Sequence, residues 1–176
     1  MKKVIYAFLL TVLPSVVWGQ ESQTEYNFLR LPVSAHAAAL GGENITIIFI
    51  NNAIYGMTGG QMAPTSLIGQ VTQTSPYRRD PKTQGLPIRI CELLASLDAP
   101  AYLARVTVNS VAHVRTAKKA ILKAFRNQVE GKGFSLVEVL SSCPTNWGLT
   151  PEKALKWIDE KMIPVYPLGV FKDKED

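Results

Sequence analysis

The strongest constraint on folding is an uninterrupted apolar run, "ITIIFI" at positions 45–50, which is followed directly by "NNAIYGMTGGQ". A short β-branched run without polar alternation is typical of a strand that is buried on both faces. Strands of this kind belong to parallel sheets, whose two faces are covered by helices. We therefore predict a buried parallel strand that ends at two asparagines and a glycine-rich loop.

Strand-like and helix-like segments alternate along the rest of the chain. The predicted segments are helices at 88–97, 116–129 and 150–161, strands at 102–108 and 134–141, and an extended end at 163–171. The middle helix is the clearest, because its apolar residues recur at three- and four-residue spacings. This alternation predicts an α/β fold with a parallel sheet and crossover helices. A ligand site is expected at the carboxyl ends of the strands.

Composition narrows the class of protein. The chain has 176 residues, of which 47% are hydrophobic, so it can form one domain with a core and is not disordered. The net charge of +5 comes largely from positions 115–132, which are either a solvated helix face or a docking surface for an acidic protein. Nucleic acid is not an expected partner, because no aromatic residues lie between these charges.

The N-terminus has the pattern of a secretory signal. Lys2 and Lys3 precede an apolar run at 4–13, and Gly19 offers a small residue for cleavage. The run is too short to span a bilayer stably, so no transmembrane segment is expected. The sequence predicts a signal peptide over residues 1–19.

The segment that follows the first strand is long and rich in glycine and proline, which predicts a functional or poorly ordered loop. At its start, Asn51 and Asn52 offer amide oxygens, which suit a hard cation. Gly56 and Gly59 allow close approach of backbone N–H groups to phosphate oxygens, and Thr58 adds a hydroxyl. The alternative is an ordinary glycine-rich turn after a core strand, and these residues alone do not decide between the two.

Two consecutive arginines lie further along the same loop. Arg78 and Arg79 either contact a phosphate or an anionic substrate, or are solvated members of a polar loop. The solvated alternative is the expectation for such residues.

Three longer stretches carry a family resemblance: "NITIIFINNAIYGMTGGQMAPTS", "SPYRRDPKTQGLPIRICELLASLDAPAYLARVTV" and "GFSLVEVLSSCPTNWGLTPEKALKWI". Together they resemble the C-terminal part of the β subunit of 2-oxoacid:ferredoxin oxidoreductases of the 2-oxoglutarate type, a thiamine-diphosphate-binding family. The resemblance covers residues 44–176. It implies a partial, truncated thiamine-diphosphate-binding domain over that range.

The same resemblance implies a reaction and its participants. Members of that family decarboxylate a 2-oxoacid oxidatively to its coenzyme A thioester and pass the electrons to ferredoxin. The implied cofactors are thiamine diphosphate and Mg²⁺, and the implied partners are an α subunit, ferredoxin, coenzyme A and 2-oxoglutarate. The implied location is the cytoplasm.

The resemblance also implies roles for individual residues. The Asn52 side chain and the Ile54 backbone carbonyl take the place of the family's Mg²⁺ ligands. Positions that line the cofactor correspond to Asn51, Asn52, Tyr55, Gly56, Thr58 and Gly59. Cys143 corresponds to one ligand of a [4Fe–4S] cluster, but such a cluster needs four ligands and the chain has two cysteines. No cluster is therefore expected in this chain, and no catalytic residue is assigned.

One half of the family's cation site has no counterpart in this sequence. That half is a Gly-Asp-Gly turn upstream of the asparagines, whereas the first aspartate here is Asp80. The stretch Gly41-Gly42-Glu43 is a poor substitute, since it lies at the wrong end of the first strand. The sequence therefore predicts that this chain alone is inactive.

The first 43 residues resemble a different family. "TEYNFLRLPVSAHAAALGGENIT", together with the signal peptide, is similar to the start of PorQ-type outer-membrane proteins of the type IX secretion system. We hypothesise that the chain is a fusion or an assembly product joined near residues 43–46, with a foreign or linker segment at 20–43. The alternative function is an exported, non-catalytic protein, and a signal peptide would direct export where the enzyme module implies the cytoplasm.

Overall fold

The computed structural model describes residues 41–174. The predicted signal peptide and almost all of the predicted segment 20–43 lie outside the described residues and stay predictions. The described elements, in chain order, are β1 Thr46–Asn51, α1 Pro81–Gln84, α2 Ile90–Ala95, β2 Tyr102–Thr107, α3 Val111–Val129, β3 Ser135–Leu140, α4 Pro144–Trp147, α5 Pro151–Trp157, a π-helical turn Ile158–Met162, α6 Ile163–Val165 and β4 Gly169–Asp173.

The described strands form a four-stranded sheet in the order β1-β3-β2-β4. The first three are parallel, and β4 pairs antiparallel with β2 at the other edge. The predicted α/β fold with a mainly parallel sheet is confirmed. In this register Asn51 lies beside Leu140, and Arg105 lies beside Glu138.

Burial differs between the central strands and β1. Every residue of β2 and β3 is buried, and alanines of α3 pack against them on one face. On the other face, Cys91 and Leu94 of α2 pack against Leu103, Phe134 and Leu136. β1 is only partly buried, and Ile50 is 56% exposed, because β3 is its one partner strand among residues 41–174. The prediction that β1 is buried on both faces is wrong for the described part of the chain.

The helices begin and end differently from the predictions. α3 begins at Val111, five residues early, because Ser110 caps it by accepting a hydrogen bond from the His113 backbone N–H at 3.2 Å. The predicted cap at Thr150 is confirmed, since its hydroxyl accepts from the Lys153 backbone N–H. The extended end predicted at 163–171 is wrong over its first three residues, which are helical in α6. Between residues 41 and 174, no helix combines the length and the apolar character needed to cross a membrane.

The long segment between β1 and α2 is organised around one buried cation, Arg79. Its side chain is buried and donates hydrogen bonds to six backbone carbonyls, those of Ala63, Pro64, Ser66, Gln84, Gly85 and Leu86. The expectation that Arg79 is solvated is therefore wrong. Its neighbour Arg78 is exposed. The donors of Arg79 are already used inside the loop, so they fix the path of the backbone.

Candidate functional site

Asn51, the last residue of β1, is built into the turn that follows the strand. It is 1% exposed, its Oδ1 accepts from the Ala53 backbone N–H at 3.0 Å, and its Nδ2 donates to Glu138 Oε1 at 2.7 Å. Ala53 has a φ of +56°, in the left-handed region that non-glycine residues rarely adopt. Both ends of the Asn51 amide therefore hold this strained turn in place.

Asn52 and Ile54, the predicted cation ligands, lie in the same turn. Asn52 is partly exposed, and its Oδ1 accepts from the Ile54 backbone N–H at 3.3 Å. An amide oxygen has two lone pairs, so one acceptor position remains on Asn52 Oδ1. No donor within residues 41–174 reaches the Ile54 carbonyl oxygen. The turn thus offers two neutral oxygens to a hard cation.

The loop after this turn is closed by a short backbone bridge. The Tyr55 N–H donates to the Gln61 carbonyl, and the Gly60 N–H donates to the Tyr55 carbonyl, both at 2.9 Å. The Thr58 hydroxyl donates to Gln61 Oε1 at 2.6 Å. The structure therefore brings the predicted cofactor-lining residues Tyr55, Thr58 and Gly59 together in one exposed loop. The Thr58 hydroxyl is occupied by Gln61 in this arrangement.

Three successive backbone N–H groups lie at the tip of the loop. Those of Gly56, Met57 and Thr58 donate to no acceptor among the described residues. Consecutive N–H groups of this kind can bind the oxygens of a phosphate. Two neutral oxygens and three N–H groups within seven residues fit half of a site for a cation and a diphosphate.

The segment after β3, which contains Cys143 and α4, contacts this loop, because β1 and β3 pair in parallel and end at the same edge of the sheet. Asn146 Nδ2 donates to the Gly56 carbonyl oxygen and to Cys143 Sγ, each at 3.2 Å. A Cβ atom placed on Gly56 would lie 2.8 Å from Cys143 Sγ, so Gly56 is required by packing. Among residues 41–174 no group of three or more His, Cys, Asp or Glu side chains could hold a metal ion.

A buried ionic network that was not predicted from the sequence lies next to Asn51. Arg105 Nε lies 2.7 Å from Glu138 Oε2, and the other Arg105 nitrogens donate to both oxygens of Glu92, at 3.0 and 2.6 Å. The Cys91 thiol donates to Glu138 Oε2 at 3.3 Å. One guanidinium pairs with two carboxylates. Two features of the sequence could have indicated this network: the single basic residue in "YLARVT" and the single acidic residue in "SLVEVL", each inside an apolar strand.

Burial and charge set the protonation of this network. Burial would lower the pKa of Arg105, but its hydrogen bonds to Glu92 and the charge of Glu138 raise that pKa instead. Burial would raise the pKa of Glu92, but the Arg105 hydrogen bonds outweigh it and lower that pKa. Burial, followed by the charge of Glu138, raises the pKa of the Cys91 thiol far above its ordinary value. The guanidinium stays charged and the thiol stays protonated.

Comparison with known proteins shows where similar sequences occur. Residues 28–139 match the family described as "Thiamine pyrophosphate enzyme, C-terminal TPP binding domain". The ketoisovalerate oxidoreductase subunit VorA of Methanothermobacter thermautotrophicus is 46% identical over 137 residues, which is 78% of this chain and 29% of that protein. The 2-oxoglutarate synthase subunit KorB of Archaeoglobus fulgidus is 35% identical over 171 residues, which is 86% of this chain and 60% of that protein. This chain spans less than two thirds of either relative.

A solved structure shows a similar fold. It is that of 2-oxoglutarate:ferredoxin oxidoreductase from Magnetococcus marinus with 2-oxoglutarate, coenzyme A and succinyl-CoA bound. The TM-score is 0.56 and the identity is 20%, over 81% of this chain and 52% of that chain. At this identity the likeness establishes the α/β architecture.

Proposed function

Because this chain belongs to the thiamine pyrophosphate enzyme family, through its C-terminal TPP binding domain, we propose that it is part of the β subunit of a 2-oxoacid:ferredoxin oxidoreductase. The names of its relatives, VorA and KorB, support this assignment. The single observation that carries it is the loop after β1, where acceptors for a cation and donors for a diphosphate lie within seven residues.

The residues of the loop take separate roles in this proposal. Asn52 Oδ1 and the Ile54 carbonyl hold Mg²⁺, and the backbone N–H groups of residues 56–58 hold the diphosphate oxygens. Asn51 contributes by fixing the turn, since both ends of its amide are already bonded within the protein. Tyr55, Thr58 and Gly59 flank the cofactor.

When bound, thiamine diphosphate would supply carbanion stabilisation at the carbonyl carbon of a 2-oxoacid. The residues of this chain bind and orient that group. The oxygens of Asn52 and Ile54 are both neutral, whereas Mg²⁺ in such sites is usually bound by one or two carboxylates as well as by phosphates. We therefore propose that this chain forms half of the site and is inactive alone, because its sequence has no counterpart of the family's Gly-Asp-Gly turn to supply an anionic ligand.

The substrate is proposed as a 2-oxoacid, with 2-oxoglutarate as the sequence-based prediction. The two relatives described above are named for ketoisovalerate and for 2-oxoglutarate. Their names therefore support a 2-oxoacid substrate in general and do not single out 2-oxoglutarate. An α subunit, ferredoxin and coenzyme A are the proposed partners, and the cytoplasm is the proposed location. Cys143 is proposed to be a packing residue against Gly56 in this chain, and its correspondence to a cluster ligand stays a prediction.

The test is a titration of thiamine diphosphate into the full chain, with and without Mg²⁺, followed by NMR chemical shifts of backbone amides. We expect shifts of residues 56–58 that require Mg²⁺ and are lost in Asn52→Ala. A dye-reduction assay with 2-oxoglutarate or ketoisovalerate and coenzyme A should show no turnover by this chain alone. Absence of any Mg²⁺-dependent shift at millimolar cofactor would overturn the binding proposal, and turnover would overturn the proposed inactivity.

A further inference from the structure

The Glu138 carboxylate joins three elements at one buried point. Its exposed fraction is 0%, Oε1 accepts from Asn51 on β1, and Oε2 accepts from Arg105 on β2 and from the Cys91 thiol on α2. Glu138 itself lies on β3, between β1 and β2 in the sheet. No other carboxylate among the described residues accepts a hydrogen bond from Asn51 or from the turn that carries Asn52 and Ile54.

This contact determines which way the Asn51 amide faces. An ionised carboxylate only accepts hydrogen bonds, so the NH₂ end of Asn51 must face Glu138 and the oxygen end must face the Ala53 N–H. The Ala53 bond in turn supports a left-handed backbone conformation that residues other than glycine rarely adopt. The next peptide carries the Ile54 N–H, which donates to Asn52 Oδ1, so the turn at Ala53 and the position of the Asn52 amide are linked.

The carboxylates of this network face more than one positive charge, since Arg89 as well as Arg105 lowers the pKa of Glu92. Arg105 is shared between Glu92 and Glu138, so one guanidinium faces two carboxylates. The Glu138 end of the network is the end that touches Asn51, whereas the Glu92 side chain is 31% exposed.

We propose that Glu138 is a positioning residue for the cation half-site, because it orients Asn51, whose amide holds the turn of Asn52 and Ile54. This inference rests on the proposed function, since it names the residue that prepares the same site. Glu138 touches neither the cation nor the cofactor, and it acts through Asn51.

The test compares two variants that remove the same charge from the same network. Glu138→Gln alters the group that contacts Asn51, whereas Glu92→Gln alters the group at the solvent side of Arg105. The first readout is the affinity of the full chain for Mg²⁺ in the presence of thiamine diphosphate. We expect Glu138→Gln to weaken it by roughly 10- to 100-fold, as for other groups that orient metal ligands, and Glu92→Gln to have a much smaller effect.

The second readout does not depend on ligand binding. The Ala53 backbone N–H donates to Asn51 Oδ1. This amide should lose its protection from hydrogen exchange in Glu138→Gln and keep it in Glu92→Gln. The Ala120 amide in the middle of α3 reports general destabilisation and should keep its protection in both. If Glu138→Gln does not fold, Asn51→Ala leaves the Glu138–Arg105 pair in place and should give the same two effects.

The outcomes separate the two proposals. No Mg²⁺-dependent cofactor binding by the unmutated chain would refute the proposed function, and the exchange of Ala53 would then decide whether Glu138 positions the turn. Equal losses of affinity in both variants would overturn the inference, because they would show a general effect of charge. Unchanged protection of Ala53 in Glu138→Gln would overturn it as well.

Discussion

Asn146 Nδ2 donates a hydrogen bond to the Gly56 carbonyl oxygen at 3.2 Å, across ninety residues of sequence. The contact joins the loop after β1 to the loop after β3, which are neighbours because those two strands pair in parallel. A Cβ atom on Gly60 would also clash with Asn146 Oδ1. Asn146, in the segment after β3, therefore restricts both ends of the glycine-rich loop. The proposed diphosphate donors lie in the part of the loop between these contacts.

Gly56→Ala should destabilise the protein through this contact. The new Cβ would lie 2.8 Å from Cys143 Sγ and 3.1 Å from Asn146 Nδ2. Overpacking of this kind costs about 1–3 kcal/mol. Urea denaturation followed by circular dichroism should show a lower free energy of unfolding. Gly41→Ala is the matched control, because a Cβ atom at that position would have no neighbour closer than 3.9 Å, and it should leave stability nearly unchanged.

The same clash can be relieved from the other side. Adding Cys143→Ala to Gly56→Ala removes the sulfur atom and should recover part of the lost stability, in a double-mutant cycle with a favourable coupling energy. Strictly additive losses would contradict the contact between these two residues.

Arg79→Lys should loosen the long segment between β1 and α2. A lysine ammonium has three donors and lacks the planar guanidinium that reaches six carbonyls here, so several buried acceptors would lose their partners. We expect a loss of about 2–4 kcal/mol, measured by urea denaturation. Arg78→Lys is the matched control, since Arg78 is exposed, and it should change stability by less than about 0.5 kcal/mol. Equal effects of the two substitutions would contradict the role of Arg79.

The two cysteines should differ in their reactivity toward a thiol reagent. Cys91 is buried, and its pKa is raised by that burial and by the charge of Glu138, so it stays a protonated thiol at neutral pH. Cys143 is partly exposed. Iodoacetamide applied to the native protein, followed by peptide mass spectrometry, should modify Cys143 and leave Cys91 intact until urea is added. Modification of Cys91 at the same rate would show that the network around Glu138 opens readily.

The features of the fold that depend on short sequence patterns were predicted correctly. The positions of β2 and β3 and the cap at Thr150 follow from apolar runs and local capping residues. The solvent exposure of β1 was not predictable in this way, because an apolar run carries no information about how many neighbours the strand finds. The start of α3 was missed because Ser110 acts as a cap only in the extended conformation that the fold gives it.

The candidate site likewise contains some residues that could be predicted from the sequence and some that could not. Asn52 could be named from the loop sequence and Ile54 from the family resemblance, whereas Glu138 and Arg79 could not be assigned partners. Arg79 meets carbonyls that are five to sixteen residues away, and Glu138 meets Asn51 across two strands. A lone charge in an apolar strand signals that a partner exists, but only the sheet register places Arg105 beside Glu138.

The last prediction concerns the pH dependence of stability. The pKa of Glu92 is lowered from its ordinary value of 4.5 because the Arg105 hydrogen bonds outweigh burial. A carboxyl whose pKa is lower when folded than when unfolded stabilises the fold above its unfolded pKa, and this contribution is lost as the pH falls through the folded pKa. The stability difference between the unmutated chain and Glu92→Gln should therefore be constant from neutral pH to about pH 5 and shrink below it.

Urea denaturation of both proteins across this pH range measures that difference. Glu43→Gln is the control, because Glu43 is exposed and forms no ion pair among residues 41–174. Its stability curve should follow that of the unmutated chain at every pH. A difference between the unmutated chain and Glu92→Gln that grows as the pH falls would have the wrong sign, because it would mean that the folded state binds the proton more tightly than the unfolded state.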